Sequence, residues 1–156
     1  MKEARPADRA ARPRKKEDPA ERSRIMRAVK ARDTAPELAV RRIVHRLGFR
    51  FSLRRDDLPG KPDLALPKYR AAIFVHGCFW HGHRCRRGAR TPKTNVAYWR
   101  RKIAGNRARD RRVRGALRGR GWRVLAIHEC QLKNAGAVAR RIVKFLKRGA
   151  AAPAPQ

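Results

Sequence analysis

Residues 72–85 read Ala72-Ile73-Phe74-Val75-His76-Gly77-Cys78-Phe79-Trp80-His81-Gly82-His83-Arg84-Cys85. The first four side chains are apolar and read as a buried strand. The strand opens into three histidines, two cysteines and two adjacent aromatics within ten residues. The remaining 142 residues hold only two histidines and one cysteine out of totals of 5 and 3. Groups that bind metals, move protons or stack on rings are therefore gathered at one strand end.

Working outward, the one distant cysteine completes a set. Cys78, His83, Cys85 and Cys130 offer three thiolates and an imidazole, a soft donor set that selects zinc. Four protein ligands leave no open position, so such a zinc is structural. The Cys-x4-His-x-Cys spacing is not that of a zinc finger, and three unrelated buried cysteines are the competing reading. The polar, glycine-rich surroundings favour the metal. An odd number of cysteines also argues against a disulfide framework and for a reducing compartment.

On either side of this stretch the pattern is α/β. Thr34 suits a helix N-cap, Pro36 the first turn and Glu37 the third position of a capping box. Val40, Ile43, Val44 and Leu47 then share a face, and Gly48 ends the helix. Phe49, Phe51 and Leu53 alternate with polar residues and predict a half-buried strand. The turn Leu58-Pro59-Gly60-Lys61-Pro62 delivers Asp63 to a strand over 64–66, which a second turn at 67–70 pairs as a hairpin with 71–75. Residues 86–93 form a basic loop. A long helix from about Thr94 carries Trp99, Ile103, Asn106, Asp110, Val113 and Leu117 on one stripe. A strand over 122–127 leads to His128-Glu129-Cys130. The last helix points Val138, Ile142, Phe145 and Leu146 inward. The order helix, three or four strands, helix, strand, helix predicts an α/β domain with a mixed sheet flanked by helices. Residues 1–22 are rich in Arg, Lys, Pro, Ala and acids and predict a disordered basic arm. Residues 23–31 predict a short helix with Ile25, Met26 and Val29 among cations, so the folded domain is expected over 23–148. Residues 149–156 read as a flexible tail.

Charge narrows the partner. Of 156 residues, 43 are Lys or Arg and 12 are Asp or Glu, a formal net charge of +31. Self-repulsion of that size calls for a polyanion, and nucleic acid rewards it through counterion release. No stretch has the length and apolarity of a membrane span, and the N-terminus lacks the apolar segment of a secretory signal.

Once zinc has its ligands, His76, His81, Phe79 and Trp80 are left over. The two aromatics suit stacking on bases or wedging between them; the alternative is one ring in the core and one covering the zinc. Asp63 is a carboxylate on a chain poor in acids, at the start of a strand whose hairpin partner ends at Val75-His76. A phosphodiester-cleaving site needs a hard oxygen ligand for Mg2+ and a base such as histidine for water. Asp63 also reads as a plain turn cap, and Glu37 as nothing more than a capping-box residue. Three functions remain open on the residues alone: a nuclease, a zinc-stabilised DNA-binding module without catalysis, and a ribosomal-type RNA-binding protein. The last leaves the Cys/His/aromatic cluster without a use.

Several of these segments together resemble the very-short-patch-repair (Vsr-type) DNA mismatch endonucleases. They are Met26–Lys30, Arg32–Glu37, Leu58–Asp63, Phe74–Cys85 and Gly121–Leu125, in the family's order across residues 23–147. The resemblance implies a restriction-endonuclease-like fold with structural Zn2+, and Mg2+-dependent nicking of double-stranded DNA 5′ to the T of a T·G mismatch left by 5-methylcytosine deamination. It makes Asp63 the Mg2+ carboxylate and the Val75 backbone carbonyl a second ligand. His81 would activate water with Glu37 holding its ring, and His76 would assist at the phosphate. Cys78, His83, Cys85 and Cys130 match the zinc positions. Phe79 and Trp80 match major-groove wedges, and Met26 an apolar residue entering from the minor groove. A bacterial, cytoplasmic, nucleoid-associated monomer is implied, with mismatch-repair and repair-polymerase proteins as further partners. Val75 stands where relatives often have Thr, a change that a backbone carbonyl survives. Gly82 and Arg84 replace further histidines of the family's run.

Overall fold

The computed structural model describes residues 32–150, the last two by backbone alone. The expected arm over 1–22 and helix over 23–31, with Met26, lie outside the described residues. Three helices and three strands follow in the order α1 (Ala35–Arg46), β1 (Leu64–Leu66), β2 (Ala71–His76), α2 (Val96–Gly119), β3 (Arg123–His128) and α3 (Ala135–Ala150). The sheet order is β1-β2-β3. β1 pairs antiparallel with β2, Leu64 opposite Ile73 and Leu66 opposite Ala71. β2 pairs parallel with β3 from Ala71–Arg123 to His76–His128. A parallel pair needs a crossover, and α2 supplies it.

Strand alternation divides the core in two. Leu64, Leu66, Ile73, Leu125 and Ile127 face one way and pack on Val40 and Val44 of α1 and Val138, Ile142 and Leu146 of α3. Ala65 and Ala72 face the other way with Leu117 of α2, beside Phe74, Val113 and Val124. The two small residues let α2 approach the sheet closely. Among the described residues, no helix is long and apolar enough to cross a membrane.

The capping signals of α1 hold. Thr34 is the N-cap and accepts from the Glu37 N–H. The Glu37 carboxylate accepts from Thr34 Oγ1 and from the Asp33 N–H, both at 2.9 Å. A cap of this kind is worth about 1 kcal/mol. At the other end Gly48 takes φ 81°.

One expected element does not form. Phe49 and Phe51 pack on the core as their alternation requires, but the segment 49–53 pairs with the sheet at a single bridge, Ser52 to Ala65. Arg54, at φ 57°, turns the chain away immediately afterwards, so the sheet has three strands rather than four. Helix α2 begins at Val96, after Asn95 at φ 52°, and β3 runs one residue later than expected, to His128. Helix α3 continues through 149 and 150, the first two residues of the expected tail; 151–156 lie outside the described residues.

Candidate active site and metal centre

The loop after β2 winds into tight turns. His81 N–H donates to the Gly77 carbonyl at 3.3 Å and His83 N–H to the Cys78 carbonyl at 3.0 Å. These turns return His83 and Cys85 to Cys78, and the short turn after β3 brings Cys130 alongside. The donor atoms of Cys78, His83, Cys85 and Cys130 all lie within 4.8 Å of one another. The cysteines are free thiols. Backbone amides already point at sulfur: Cys130 N–H to Cys78 Sγ at 3.3 Å and Gly88 N–H to Cys85 Sγ at 3.4 Å. Gly88 is obligatory there, because a Cβ would sit 2.1 Å from the His83 carbonyl oxygen. Burial pushes the Cys78 thiol up to about 12. The His83 side chain, hydrogen-bonded to Cys85, draws that thiol down to about 6. Three sulfurs and an imidazole at this spacing could hold zinc.

A second donor group interleaves with the first. His76, His81 and Asp110 also bring one ligand atom each within 4.8 Å. His81 Nδ1 lies 2.6 Å from Asp110 Oδ2. The rings of His76 and His81 are stacked, with centroids 3.8 Å apart and planes 3° from parallel. His76 meets His128 edge-on at 5.5 Å, and His128 stacks on His83 at 4.1 Å. Four imidazoles thus run from Asp110 to the cysteine cluster. Burial, then the neighbouring His81, pushes His76 down to about 4. Burial, then His83, does the same to His128. Both are held neutral at physiological pH. The cleft over this group is walled by Arg107, Arg111 and Arg114 of α2.

Asp63 sits on the other side of the same strand end. Its Oδ2 accepts from the Val75 N–H at 2.7 Å. In a strand, the N–H and C=O of one residue point to the same edge. The Val75 carbonyl therefore shares the Asp63 edge, past the end of β1. Burial raises the Asp63 carboxyl to about 6; the Val75 N–H opposes the rise and the nearby Glu37 carboxylate adds to it. A buried carboxylate beside an acid and a backbone carbonyl has the chemistry of a hard-cation site. Asp63 and Glu37 line one small cleft with Arg41 and Lys61.

Glu37 does not hold the His81 ring. Its oxygens are taken by Thr34, Asp33 N–H and Arg41, and the carboxylate on His81 is Asp110. Sequence reasoning left Asp110 as a position on the α2 stripe. The signal was present, as the single acid on an otherwise apolar or amide stripe of a helix crowded with arginine, but nothing local says which loop that stripe meets.

Phe79 and Trp80 are half-buried rather than free. Their rings meet at 5.3 Å, and both meet Trp99 of α2, at 5.4 and 5.8 Å. Asn106 Nδ2 donates to the Trp80 carbonyl at 2.9 Å, fastening the loop to α2. Trp99, read from sequence as a stripe residue, is thus part of the aromatic group.

This arrangement, a mixed sheet with carboxylate, imidazoles and a cysteine cluster at the end of its central strand, is a nuclease fold with donor groups that could hold a metal. In fold the chain is similar to the catalytic domain of the homing endonuclease I-Bth0305I, with TM-score 0.52 and 23% identity over 75% of this chain and 98% of that one. The family described as DNA mismatch endonuclease Vsr matches residues 15–87. The type II nicking enzyme V.XorIIP of Xanthomonas oryzae pv. oryzae is 48% identical over 128 residues, 82% of this chain and 93% of that protein. The DNA mismatch endonuclease Vsr of Escherichia coli K12 is 43% identical over 74% of each chain. The chain belongs to the Vsr family of DNA mismatch endonucleases, and it is a nuclease.

Proposed function

We propose that the protein nicks one strand of duplex DNA 5′ to the T of a T·G mismatch, using Mg2+ at Asp63 and a structural zinc at Cys78, His83, Cys85 and Cys130. The observation that carries this reading is the Asp63–Val75 contact at 2.7 Å, one residue from the His76/His81/Asp110 group. Asp63 and the Val75 carbonyl would hold the hard cation. When bound, it supplies positive charge at the scissile phosphate.

The chain's own groups do the rest. His81 takes a proton from the attacking water on Nε2, since Nδ1 is turned to Asp110. Asp110 fixes the ring orientation and stabilises the imidazolium that forms, as a carboxylate does behind any catalytic histidine. The water oxygen bonds to phosphorus as the P–O bond of the nicked strand breaks. His76, stacked on His81, carries its polar ring edge to the phosphate. Phe79 and Trp80, backed by Trp99, present aromatic faces for a disturbed base step. With zinc bound, the cysteine cluster has no open position and keeps the loop rigid.

The test is a nicking assay with Mg2+ on three duplexes that differ at one base pair, T·G, G·C or A·T. Nicking confined to the T·G duplex and abolished in Asp63→Ala is expected. No nick in any duplex sinks the enzyme reading, and equal cleavage of all three sinks the mismatch specificity.

A further inference from the structure

At the far end of the sheet from the histidines lies a groove of about 680 Å3 that the proposed chemistry does not use. Its floor includes Trp122 and the first three residues of β3, Arg123 to Leu125. Successive strand residues point to opposite faces of a sheet. A groove that touches all three strand residues therefore looks onto the strand's edge. β3 is an outer strand, and among the described residues no strand pairs with its free side. Among the described residues, the backbone of Val124 to Ile127 makes no turn or loop bond outside the ladder with β2, while the His128 N–H donates to Gln131 Oε1.

The walls are cationic over an apolar base. The C-terminal end of α2 contributes Arg118, and α3 contributes Arg141, Lys144, Arg148 and the Phe145 ring. Arg123 is consumed by the fold: its guanidinium lies over Phe145 at 4.7 Å and donates to the Tyr69, Phe145 and Leu146 carbonyls. Arg118, Arg141, Lys144 and Arg148 form no ion pair among the described residues, although Arg141 Nη1 donates to Gln131 Oε1 at 2.9 Å.

We infer that this groove binds an extended acidic segment of another protein, which adds a strand to the free edge of β3. The free edge supplies main-chain hydrogen bonds, Trp122 and Phe145 supply apolar contact, and the four cations fix the charge of the guest. Within this chain, residues 1–31 are net basic, with 11 Lys or Arg against 5 Asp or Glu. Residues 151–156, Ala-Ala-Pro-Ala-Pro-Gln, contain no acid and two prolines that cannot donate. A second copy would bring another +31 charge. DNA fits less well, because a strand edge recessed between two helices offers amides and apolar surface where a duplex backbone needs projecting cations. The groove's nearest strand residue, Leu125, lies about 10 Å along β3 from His128, by strand rise.

The probe is the peptide acetyl-Asp-Val-Asp-Phe-Asp-Val-Asp-amide, labelled and titrated into the full-length protein by fluorescence anisotropy. Two variants accompany it: the same peptide N-methylated at alternate residues, and the protein carrying Lys144→Glu with Arg148→Glu. Saturable binding is expected, weakened at least tenfold by either change. Slowed amide exchange at Val124 or Ala126 should accompany it, with nicking by the double variant unchanged. Equal binding of the methylated peptide would reduce the effect to charge attraction and overturn the inference. So would unaltered binding by the double variant. Protection of Lys144 by duplex DNA, with displacement of the peptide, would make the groove a DNA track and overturn it as well.

Discussion

Two donor clusters grow from the same ten residues, and they differ in every property that decides what a cluster does. Cys78, His83, Cys85 and Cys130 are soft, four in number, tied by amide-to-sulfur bonds, and drawn from two loops far apart in sequence. His76, His81 and Asp110 offer nitrogen and oxygen without sulfur, are three in number, and sit under a cleft walled by arginines. The first set closes on itself; the second keeps a side open. Alternation along the loop places them as neighbours, so rigidity in one becomes alignment in the other. Two stacked imidazole pairs that meet edge-on join them.

The strongest way to break this division is to remove a thiolate. Cys130→Ala should cost on the order of 3 kcal/mol or more, because the metal's binding energy is folding energy. Thermal unfolding and far-UV circular dichroism would reveal it, with zinc content falling below one equivalent. Retained stability without zinc would remove the cluster's structural role.

Asp110→Asn tests the open cluster. Nicking should fall by about 100-fold or more, through the wrong tautomer and orientation of His81, while the melting temperature and duplex affinity change little. A variant as active as the parent would show that His81 needs no carboxylate behind it.

Asp63→Asn should separate activity from stability. The folded-state carboxyl, at about 6, lies above its ordinary 3.8, so the folded chain holds that proton more tightly than the unfolded one. The cation-free protein therefore loses stability as pH rises from about 4 through 6, and the deficit persists at pH 7. Asn removes it. With partial exposure discounted, the variant should be about 1–2 kcal/mol more stable at pH 7 without divalent cation and inactive. The gain should vanish at pH 3.5, and Mg2+ should narrow it by stabilising the parent. A gain independent of pH would point to packing instead.

Glu37→Gln is the smallest and sharpest test. α1 keeps a capping side chain but loses its charge, at a cost of about 0.5–1 kcal/mol. Asp63 loses the repulsion that helps raise it. The acid limb of the nicking profile should therefore move to lower pH, with the rate on its plateau largely kept. Loss of the plateau itself would return Glu37 to the chemistry.

How much of this was legible follows from what local signals can carry. The Thr34 cap, the turn before Asp63 and the hairpin to Val75 are written in residues a few positions apart, and they form as read. The four cysteine and histidine donors were legible because thiols and imidazoles are otherwise scarce. The strand over 49–53 was not, because alternation reports burial. Phe49 and Phe51 are buried as it says, but ladder bonds depend on the direction the chain takes at Arg54. The partner of His81 was missed for a related reason. Periodicity put Asp110 on the inner stripe of α2, but only the packed fold shows that the stripe meets the His81 loop 29 residues earlier.

The central claim is that one loop holds a scaffold cluster and a reacting cluster side by side. Its most direct measurement is zinc content and T·G nicking rate, taken on the same preparations of the parent, His81→Ala and Cys130→Ala. The account predicts one zinc and no nicking for His81→Ala, with its fold and duplex affinity intact, and loss of zinc and fold together for Cys130→Ala. Zinc lost from His81→Ala, or nicking kept by a zinc-free Cys130→Ala, would contradict it.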